Sequence, residues 1–184
     1  MIIRAFRDDP LLPHLARDPG RAERLLHWFA ATGVKYGERW GRVYVNPELT
    51  GVAVWFGPQG PFQATDGMWR GAMWLPFLAG WGCFLRFLSF AKFAEKVHRG
   101  IISGDHYYLF ILVVAPEHQG RGLGSRLLQP VLAQADSQGR ACYLETANPK
   151  ALPFYYRLGF HLARHNELQP GGPGLWTMLR NPVP

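Results

Sequence analysis

Residues 107–124, YYLFILVVAPEHQGRGLG, decide the fold of this chain. The first eight of them, 107–114, carry no charge and are aromatic or aliphatic, which predicts a strand buried on both faces. A short loop follows, and glycines at alternate positions then open a helix, so that backbone N–H groups can approach a ligand without an intervening Cβ atom. The stretch therefore predicts an anion site for a phosphate or pyrophosphate at a helix N-terminus. The alternative is a tight turn without a ligand.

The residues after this stretch predict a parallel partner for the central strand. The helix has one apolar face, ends near Gly139 and is expected to bend at Pro130 rather than to break into two helices. The next buried strand is 141–146, ACYLET, and a strand reached through a crossover helix lies parallel and adjacent to the strand before it. The remaining predicted elements are a short helix at 148–159 and strands at 160–168 and 175–179.

The part of the chain before the central strand predicts a less regular series of elements. In chain order these are a strand at 2–6, a helix at 18–33, a loop at 34–41, a hairpin at 42–56, a loop at 57–67 and helical pieces at about 68–79 and 81–99.

The length and the order of elements predict the fold class. With 184 residues, 48% of them apolar, the chain is long enough for one domain with its own core. We expect a single domain over 1–184 that carries a helical, aromatic-rich insertion at about 59–104. The predicted class is α/β (α+β), with a mixed, mostly antiparallel central sheet that contains a parallel strand pair and is flanked by helices.

The net charge limits the classes of binding partner that we expect. A net charge of +7, from 20 basic and 13 acidic residues, suits a polyanionic partner such as a nucleotide cofactor. The arginines are scattered and form no basic block, so no nucleic-acid partner is expected. Only 72–93 invites a membrane interpretation, and its prolines, glycines and basic residues break it into pieces shorter than the about 20 apolar residues of a span. No membrane partner is therefore expected.

The cysteines and the N-terminus bound the compartment. Cys83 and Cys142 are too few and too far apart for a disulfide framework or a metal knuckle, which predicts a reducing compartment and no metal site. The opening residues, MIIRAFRDD, lack the apolar stretch of a signal peptide. The predicted localisation is cytoplasmic.

The motifs around the central strand resemble the GNAT superfamily of acetyl-CoA-dependent N-acyltransferases. They are a strand ending Val-Val-x-Pro at 113–116, Gln-x-x-Gly-x-Gly at 119–124, Asn148, and the run FYYRLGF at 154–160. The spacing is similar over about 107–160, and the first hundred residues show little resemblance. The puromycin N-acetyltransferase-like subgroup is similar at Leu-Glu-Thr 144–146, Leu-Pro-Phe-Tyr 152–155 and Trp-Thr-Met 176–178.

The resemblance implies a cofactor and the residues that bind it. In the family the two parallel strands splay apart, and the pantetheine arm of acetyl-CoA adds between them like an extra strand. A backbone N–H of Val113 or Val114 is expected to hold the thioester oxygen. The implied cofactor-binding residues are Leu112, Val113, Val114, Gln119, Gly120, Arg121, Gly122, Leu123, Gly124, Ser125, Asn148 and Tyr155.

The resemblance also implies a general acid. In the family a tyrosine at the position of Tyr155 protonates the departing thiolate, and a phenol with a pKa of about 10 is protonated at neutral pH. The alternative is that Tyr155 is a core aromatic residue, and Tyr156 is easily confused with Tyr155.

The reaction also needs a general base. The attacking amine must be neutral, so a carboxylate or an imidazole should accept its proton. Glu145 and His106 are the candidates, and either one can instead be a structural polar group.

The implied reaction is transfer of an acetyl group to a primary amine. The aromatic residues of the insertion, with Trp69, Trp74 and Trp81 prominent, favour a small acceptor with an aromatic or apolar body. Those residues can instead be core or a homodimer interface. Two other functions stay open: a non-catalytic module that binds coenzyme A or a small ligand, and a dinucleotide-binding oxidoreductase, since Gly120 and Gly122 approximate a Rossmann fingerprint.

Overall fold

The computed structural model describes residues 2–7, 9–58 and 71–183. Its helices are α1 (Ile2–Phe6), α2 (Leu12–Leu15), α3 (Pro19–Trp40), α4 (Leu75–Ala79), α5 (Trp81–Ile101), α6 (Leu123–Ser137) and α7 (Leu152–Arg157). Its strands are β1 (Arg42–Val45), β2 (Gly51–Phe56), β3 (Tyr107–Val114), β4 (Cys142–Thr146), β5 (His161–Glu167) and β6 (Gly174–Arg180).

The strands form one sheet in the order β1-β2-β3-β4-β6-β5. Neighbouring strands are antiparallel except β3 and β4, which are parallel because α6 carries the chain back across the sheet between them. The predicted fold class is confirmed: a mixed, mostly antiparallel sheet with one parallel pair among the described strands, flanked by helices. The parallel position of the second buried strand is also confirmed.

The strands β3 and β4 separate after a short stretch of pairing. β4 pairs with only the first three residues of β3, up to Leu109, whereas β3 runs on to Val114 along β2. The consecutive β2 residues Trp55 and Val54 pair with Leu109 and Ile111 of β3. Phe110 between them has no partner on β2 and forms a β-bulge. A bulge bends its strand and increases the local twist. The bulge therefore lies at the point where the two parallel strands diverge.

The bulge changes which residues of β3 face each core. Tyr107 and Leu109 pack in the core under α6, whereas Ile111 and Val113 pack in the core under α3. Residues between them are only half-buried. The strand therefore packs on both faces, as predicted, although alternate residues are only half-buried because β4 flanks β3 only at its start.

Helices cover both faces of the sheet. α6 packs on one face together with α7, and α1 and α3 pack on the other. A second hydrophobic cluster joins α2, α3, α4 and α5. The gap between β3 and β4 consequently opens between two helical layers.

The N-terminal segment is a helix, so the strand predicted at 2–6 is wrong. A segment of only five residues, IIRAF, satisfies either periodicity, and tertiary packing decides between them. Ile2, Ala5 and Phe6, spaced as on one helical face, pack against the core under α3. The ring of Phe6 meets that of Phe29 edge-on, with centroids 6.1 Å apart.

The helix α3 continues to Trp40, so the predicted stop at Gly33 and the loop at 34–41 are wrong. Gly33 lies against the sheet, where an added Cβ would be 2.7 Å from Cδ1 of Ile111. Gly37 approaches Val54 of β2 in the same way. These glycines allow close packing of the helix on the sheet, and Gly41 is the residue that ends the helix.

The other predicted elements largely agree with the structure. The hairpin of β1 and β2 forms as predicted, and α6 is one helix that passes through the exposed Pro130. Within the described residues, the first helical piece consists of helical residues at 71–72, a turn at 73–74 and α4, which begins at Leu75. Residues 59–70, and with them Trp69 and most of the predicted loop at 57–67, lie outside the described residues.

Candidate active site

The gap between β3 and β4 exposes backbone groups of β3. The N–H of Ala115 donates to the carbonyl oxygen of Thr50 at 2.8 Å, on the side of β2. Backbone groups alternate in direction along a strand. Leu112 and Val114 therefore direct their N–H and C=O groups into the gap, whereas Val113 directs its own toward β2.

A glycine loop closes the end of this gap. The side-chain amide of Gln119 donates to the carbonyl oxygen of Val114 at 3.0 Å and so anchors the loop to the end of β3. Gly120 and Gly122 both have φ of +75°, a conformation that L side chains rarely adopt. An added Cβ at either would have no heavy atom within 4 Å. The backbone conformation therefore favours glycine at both positions, and both positions border open space.

The helix α6 begins with N–H groups that no side chain caps. Gly122 is the N-cap, and the first helical hydrogen bond joins the N–H of Arg126 to the carbonyl oxygen of Gly122 at 3.1 Å. The N–H groups of Leu123, Gly124 and Ser125 precede it and have no helical acceptor. The start of α6 therefore has the geometry of the predicted anion site.

Gly124 differs from the other loop glycines because its surroundings are packed. An added Cβ would lie 3.1 Å from Cζ of Phe154 and 3.8 Å from Cγ2 of Val114. Gly124 therefore lets α6 approach α7 and the end of β3. A side chain there meets the Phe154 ring first.

The tyrosine predicted as the general acid is buried in the core under α6. Tyr155 packs between Phe154 and Phe160, with ring centroids 5.1 and 5.9 Å away. Burial raises its pKa, so the phenol is protonated at neutral pH. Tyr156 is exposed on the other side of α7. The structure thus separates the two tyrosines that the sequence leaves easily confused.

Glu145 lies on β4 immediately after the last residue that pairs with β3. Tyr143 donates to its Oε1 at 2.6 Å, and Tyr108 donates to its Oε2 at 3.3 Å. Burial raises the pKa of Glu145 to about 7, and the hydrogen bonds from Tyr143 and Tyr108 partly oppose this rise. A carboxyl with this pKa exchanges protons readily at neutral pH.

The other base candidate, His106, binds a second histidine. Its Nε2 lies 2.8 Å from Nε2 of His98, and its Nδ1 lies 2.8 Å from the carbonyl oxygen of Gly104. Mainly because of burial, the pKa of His106 falls below its usual value, and that of His98 falls to about 3. His106 thus contacts the loop before β3 and α5, whereas Glu145 lies at the gap.

His98 is a site residue that sequence reasoning missed. It is buried on α5 and stacks on the ring of Tyr143, with centroids 3.8 Å apart and an interplanar angle of 20°. Tyr143 in turn binds Glu145, so the helix from the predicted insertion supports the carboxylate. A single histidine in an amphipathic helix gives no sequence signal for such a contact.

Asn148 forms a local cap. Its side-chain oxygen accepts from the N–H of Lys150 at 3.0 Å, at the start of a 3-10 turn over Pro149–Ala151. The backbone N–H of Asn148 itself donates to the hydroxyl oxygen of Thr146 at 3.1 Å. The role of Asn148 in cofactor binding stays a prediction.

An aromatic cluster lies on the α3 side of the gap. Phe110, the bulge residue, lies 5.6 Å from Phe29, 5.4 Å from Phe56 and 5.9 Å from Tyr108, measured between ring centroids. Phe110 and Tyr108 are only half-buried. This cluster, Phe29, Phe56, Tyr108 and Phe110, is called the aromatic wall below. It reaches Glu145 through the hydroxyl of Tyr108.

No cluster of three or more His, Cys, Asp or Glu side chains within the described ranges has the geometry to hold a metal ion. None of the helices described is long and apolar enough to cross a membrane.

A comparison with protein families matches residues 59–160 to the acetyltransferase (GNAT) family. The chain belongs to this family. Among curated proteins, an uncharacterised N-acetyltransferase of Schizosaccharomyces pombe is 26% identical over 195 residues, covering 98% of this chain and 77% of the relative. This GNAT acetyltransferase is therefore an acyltransferase by family, as its motifs predict.

Solved structures support the same fold. An acetyltransferase from Corynebacterium glutamicum, described as histone acetyltransferase HPA2 and related, superposes with a TM-score of 0.62 at 21% identity, over 99% of this chain and 87% of that one. Arylalkylamine N-acetyltransferase 2 from Aedes aegypti gives a TM-score of 0.60 at 14% identity, over 98% and 92%. At these identities the likeness shows the fold, which confirms the predicted GNAT-like sheet.

Proposed function

We propose that this protein transfers an acetyl group from acetyl-CoA to the primary amine of a small acceptor with an aromatic or apolar body. The observation that carries the proposal is the gap between β3 and β4. Backbone groups of Leu112 and Val114 face into it, and it ends at the uncapped start of α6. Both features match an extended amide chain that ends in phosphates.

The residues at the gap fit coenzyme A. The amides of a pantetheine arm need backbone donors and acceptors along an open strand edge, where Leu112 presents both its N–H and its C=O. The pyrophosphate needs N–H donors and positive potential, which Leu123, Gly124 and Ser125 supply at the helix start. The exposed side chains of Arg121 and Arg126 add positive charge on the same loop and helix turn. Acetyl-CoA, when bound, supplies an activated acetyl thioester.

The chain's own residues supply the proton transfers. Glu145 accepts the proton of the incoming ammonium or amine, and its raised pKa of about 7 makes it basic enough for this role. Tyr155 donates its phenolic proton to the departing sulfur. Of the two predicted oxyanion donors, Val114 directs its N–H into the gap, whereas Val113 directs its N–H toward β2.

The aromatic wall supports an aromatic or apolar acceptor. Tyr108 is half-buried and donates to Glu145, and the half-buried Phe110 lies 5.9 Å from Tyr108 between ring centroids, so a flat acceptor on these rings would bury aromatic surface near the base. Trp74 and Trp81, which first suggested such an acceptor, are about two thirds exposed. The argument for the acceptor therefore rests on the wall. Membership of the puromycin N-acetyltransferase-like subgroup is part of the same proposal.

The remaining predictions belong to this proposal as well. We propose that residues 1–184 act as one domain, with the helical region at about 59–104 as an insertion, and that the enzyme works in the cytoplasm. Both cysteines, Cys83 and Cys142, are free and buried, which agrees with a reducing compartment.

The decisive experiment combines binding with turnover. Calorimetry should show that the wild-type protein binds acetyl-CoA, and release of free thiol from acetyl-CoA should depend on an added amine. Binding of acetyl-CoA without transfer to any amine of a broad panel would favour the non-catalytic binding module. Binding of NAD(P) in place of acetyl-CoA would favour the oxidoreductase.

A further inference from the structure

Large apolar side chains form a continuous exposed stripe across the junction of α4 and α5. Their exposed fractions run from 41% to 81%, with Phe77 the most exposed. Gly80, with φ of +88°, separates the two helices. On the α4 side the ring of Trp74 lies 6.2 Å from that of Phe77, and on α5 Trp81 and Leu85 are one helical turn apart on one face. These residues, called the outer stripe, are Met73, Trp74, Phe77, Leu78, Trp81 and Leu85.

The opposite side of the same helices is already buried. Leu75, Cys83 and Phe87 pack with Trp28 of α3 in the second hydrophobic cluster. The ring of Trp28 meets that of Phe87 edge-on at 5.1 Å. α4 and the start of α5 carry apolar side chains on both sides, and an apolar helix surface is normally covered. Packing against α3 covers only the inner side of α4 and α5.

The area of the outer stripe is that of a protein interface. With 150–250 Å² for each aromatic side chain, the exposed fractions amount to roughly 700 Å², close to the about 800 Å² per partner of a standard interface. The largest apolar patch on a typical monomer is about 300–600 Å². The stripe is therefore large enough for a stable dimer.

The charges beside the stripe suit a protein surface better than an anionic lipid surface. The guanidinium of Arg24 donates to the carbonyl oxygen of Leu78 at 2.5 Å, and that of Arg86 donates to the carbonyl oxygen of Leu15 at 3.0 Å. Both are thus engaged within the chain. Asp18 lies beside Arg24, since both come within 3.5 Å of the same Cβ position on the first turn of α3. The rim therefore carries both signs of charge.

We propose that the outer stripe is the two-fold interface of a homodimer. In a two-fold contact the same patch meets itself, so the patch must be self-complementary. Apolar side chains at its centre satisfy this requirement. At its rim, Asp18 of one copy can face Arg21 of the other, because the Arg21 guanidinium lies next to Gly80 at the junction of α4 and α5.

Sedimentation velocity of the wild-type protein and of Phe77→Glu tests the proposal. The wild type is expected to sediment as a dimer at micromolar concentration. Phe77→Glu should raise the dissociation constant of the dimer by at least about 100-fold, because the interface carries the substitution twice. Leu49→Glu is the matched control, since Leu49 is 67% exposed in the β1–β2 turn, and this variant should remain a dimer.

Circular dichroism and a melting curve show whether Phe77→Glu is folded, so that loss of the dimer is not confused with loss of the fold. Phe77 is 81% exposed, so Phe77→Glu should fold with an unchanged melting temperature. A wild type that stays monomeric up to about 100 μM, weaker than the affinity of a stable interface of this size, would overturn the proposal. A dimer that survives Phe77→Glu and Trp81→Glu would overturn it too. So would a monomer that floats with phosphatidylserine vesicles and loses this property in Phe77→Glu.

Discussion

The hydroxyl of Tyr143 donates a hydrogen bond of 2.6 Å to Oε1 of Glu145 at the point where β3 and β4 separate. Tyr108 donates to the other carboxylate oxygen at 3.3 Å. These hydrogen bonds favour the ionised carboxylate and lower its pKa, whereas burial raises the pKa and prevails, to a value of about 7. The balance of burial against two phenol donors sets the basicity of the proposed base.

The first prediction is the pH dependence of the reaction. Only the ionised form of Glu145 accepts a proton, so kcat/KM should rise with pH through about 7. Glu145→Gln should remove this limb and lower kcat/KM by about 10²- to 10⁴-fold. The acceptor amine has its own ionisation at higher pH, which should persist in the variant and serves as an internal control. A limb near pH 7 that survives in Glu145→Gln would assign the base to another group.

The second prediction concerns the donor to that carboxylate. Tyr143→Phe keeps the ring that stacks on His98 but removes the hydrogen bond that lowers the pKa of Glu145. The rising limb should therefore move to higher pH, with lower kcat/KM at pH 7 and recovery at higher pH. Tyr107→Phe is the control, since the hydroxyl of Tyr107 donates to Gln138 at 2.9 Å instead. An unmoved limb in Tyr143→Phe would contradict the account of the pKa.

The third prediction separates the two adjacent tyrosines of α7. Tyr155→Phe should lower kcat by about 10²- to 10⁴-fold and leave the dissociation constant of acetyl-CoA nearly unchanged, since only the transition state uses the hydroxyl. Tyr156→Phe should change kcat little, because Tyr156 is exposed. Single-turnover kinetics, in which chemistry limits the rate, make the comparison. Wild-type turnover by Tyr155→Phe would remove the assignment.

The sequence predicts the part of the fold in which the hydrophobic pattern and the order of elements allow one arrangement. Over 107–160 an apolar strand, a glycine loop and a crossover helix leave one arrangement, and the structure has it. The sequence does not show where β3 and β4 separate, because that depends on the bulge at Phe110. Nothing in an unbroken apolar run distinguishes a paired residue from an additional one.

The errors in the first forty residues have a related cause. In the sequence, glycines such as Gly33 and Gly37 indicate the end of a helix. Only their contact with the sheet shows that they allow the helix to pack closely on it. His98 is invisible for the same reason, since its meaning comes from Tyr143, 45 positions away along the chain. Tertiary contacts explain these glycines and this histidine, and local sequence periodicity gives no information about such contacts.

The fourth prediction tests the anion loop. A valine at Gly124 would press on Phe154, whose Cζ is 3.1 Å from the Cβ position, and displace the first turn of α6 from the ligand. Gly124→Val should weaken acetyl-CoA binding at least tenfold, about 1.4 kcal/mol. Binding of S-acetyl-pantetheine, which has no pyrophosphate, should change much less.

Two further measurements complete this test. Gly100→Val is a matched control in another helix, where the nearest atom to the Cβ position is an Arg164 nitrogen 3.9 Å away. Its affinity for acetyl-CoA should equal that of the wild type. Calorimetry that gives Gly124→Val the wild-type affinity would exclude the start of α6 as the phosphate site.

The last prediction concerns the acceptor. If the aromatic wall binds it, kcat/KM should be higher for an aromatic amine than for spermidine or a lysine peptide, because the wall offers apolar area beside Glu145, to which Tyr108 donates. Phe110→Ala should raise KM for the aromatic amine by about tenfold and leave spermidine nearly unaffected, since an aromatic contact adds about 0.5–1.5 kcal/mol beyond its buried area. Trp74→Ala is the control, because Trp74 belongs to the outer stripe. A clear preference for spermidine or for the lysine peptide would defeat the proposed acceptor class. Loss of aromatic-amine activity in Trp74→Ala with an unchanged Phe110→Ala would place the acceptor on the insertion instead.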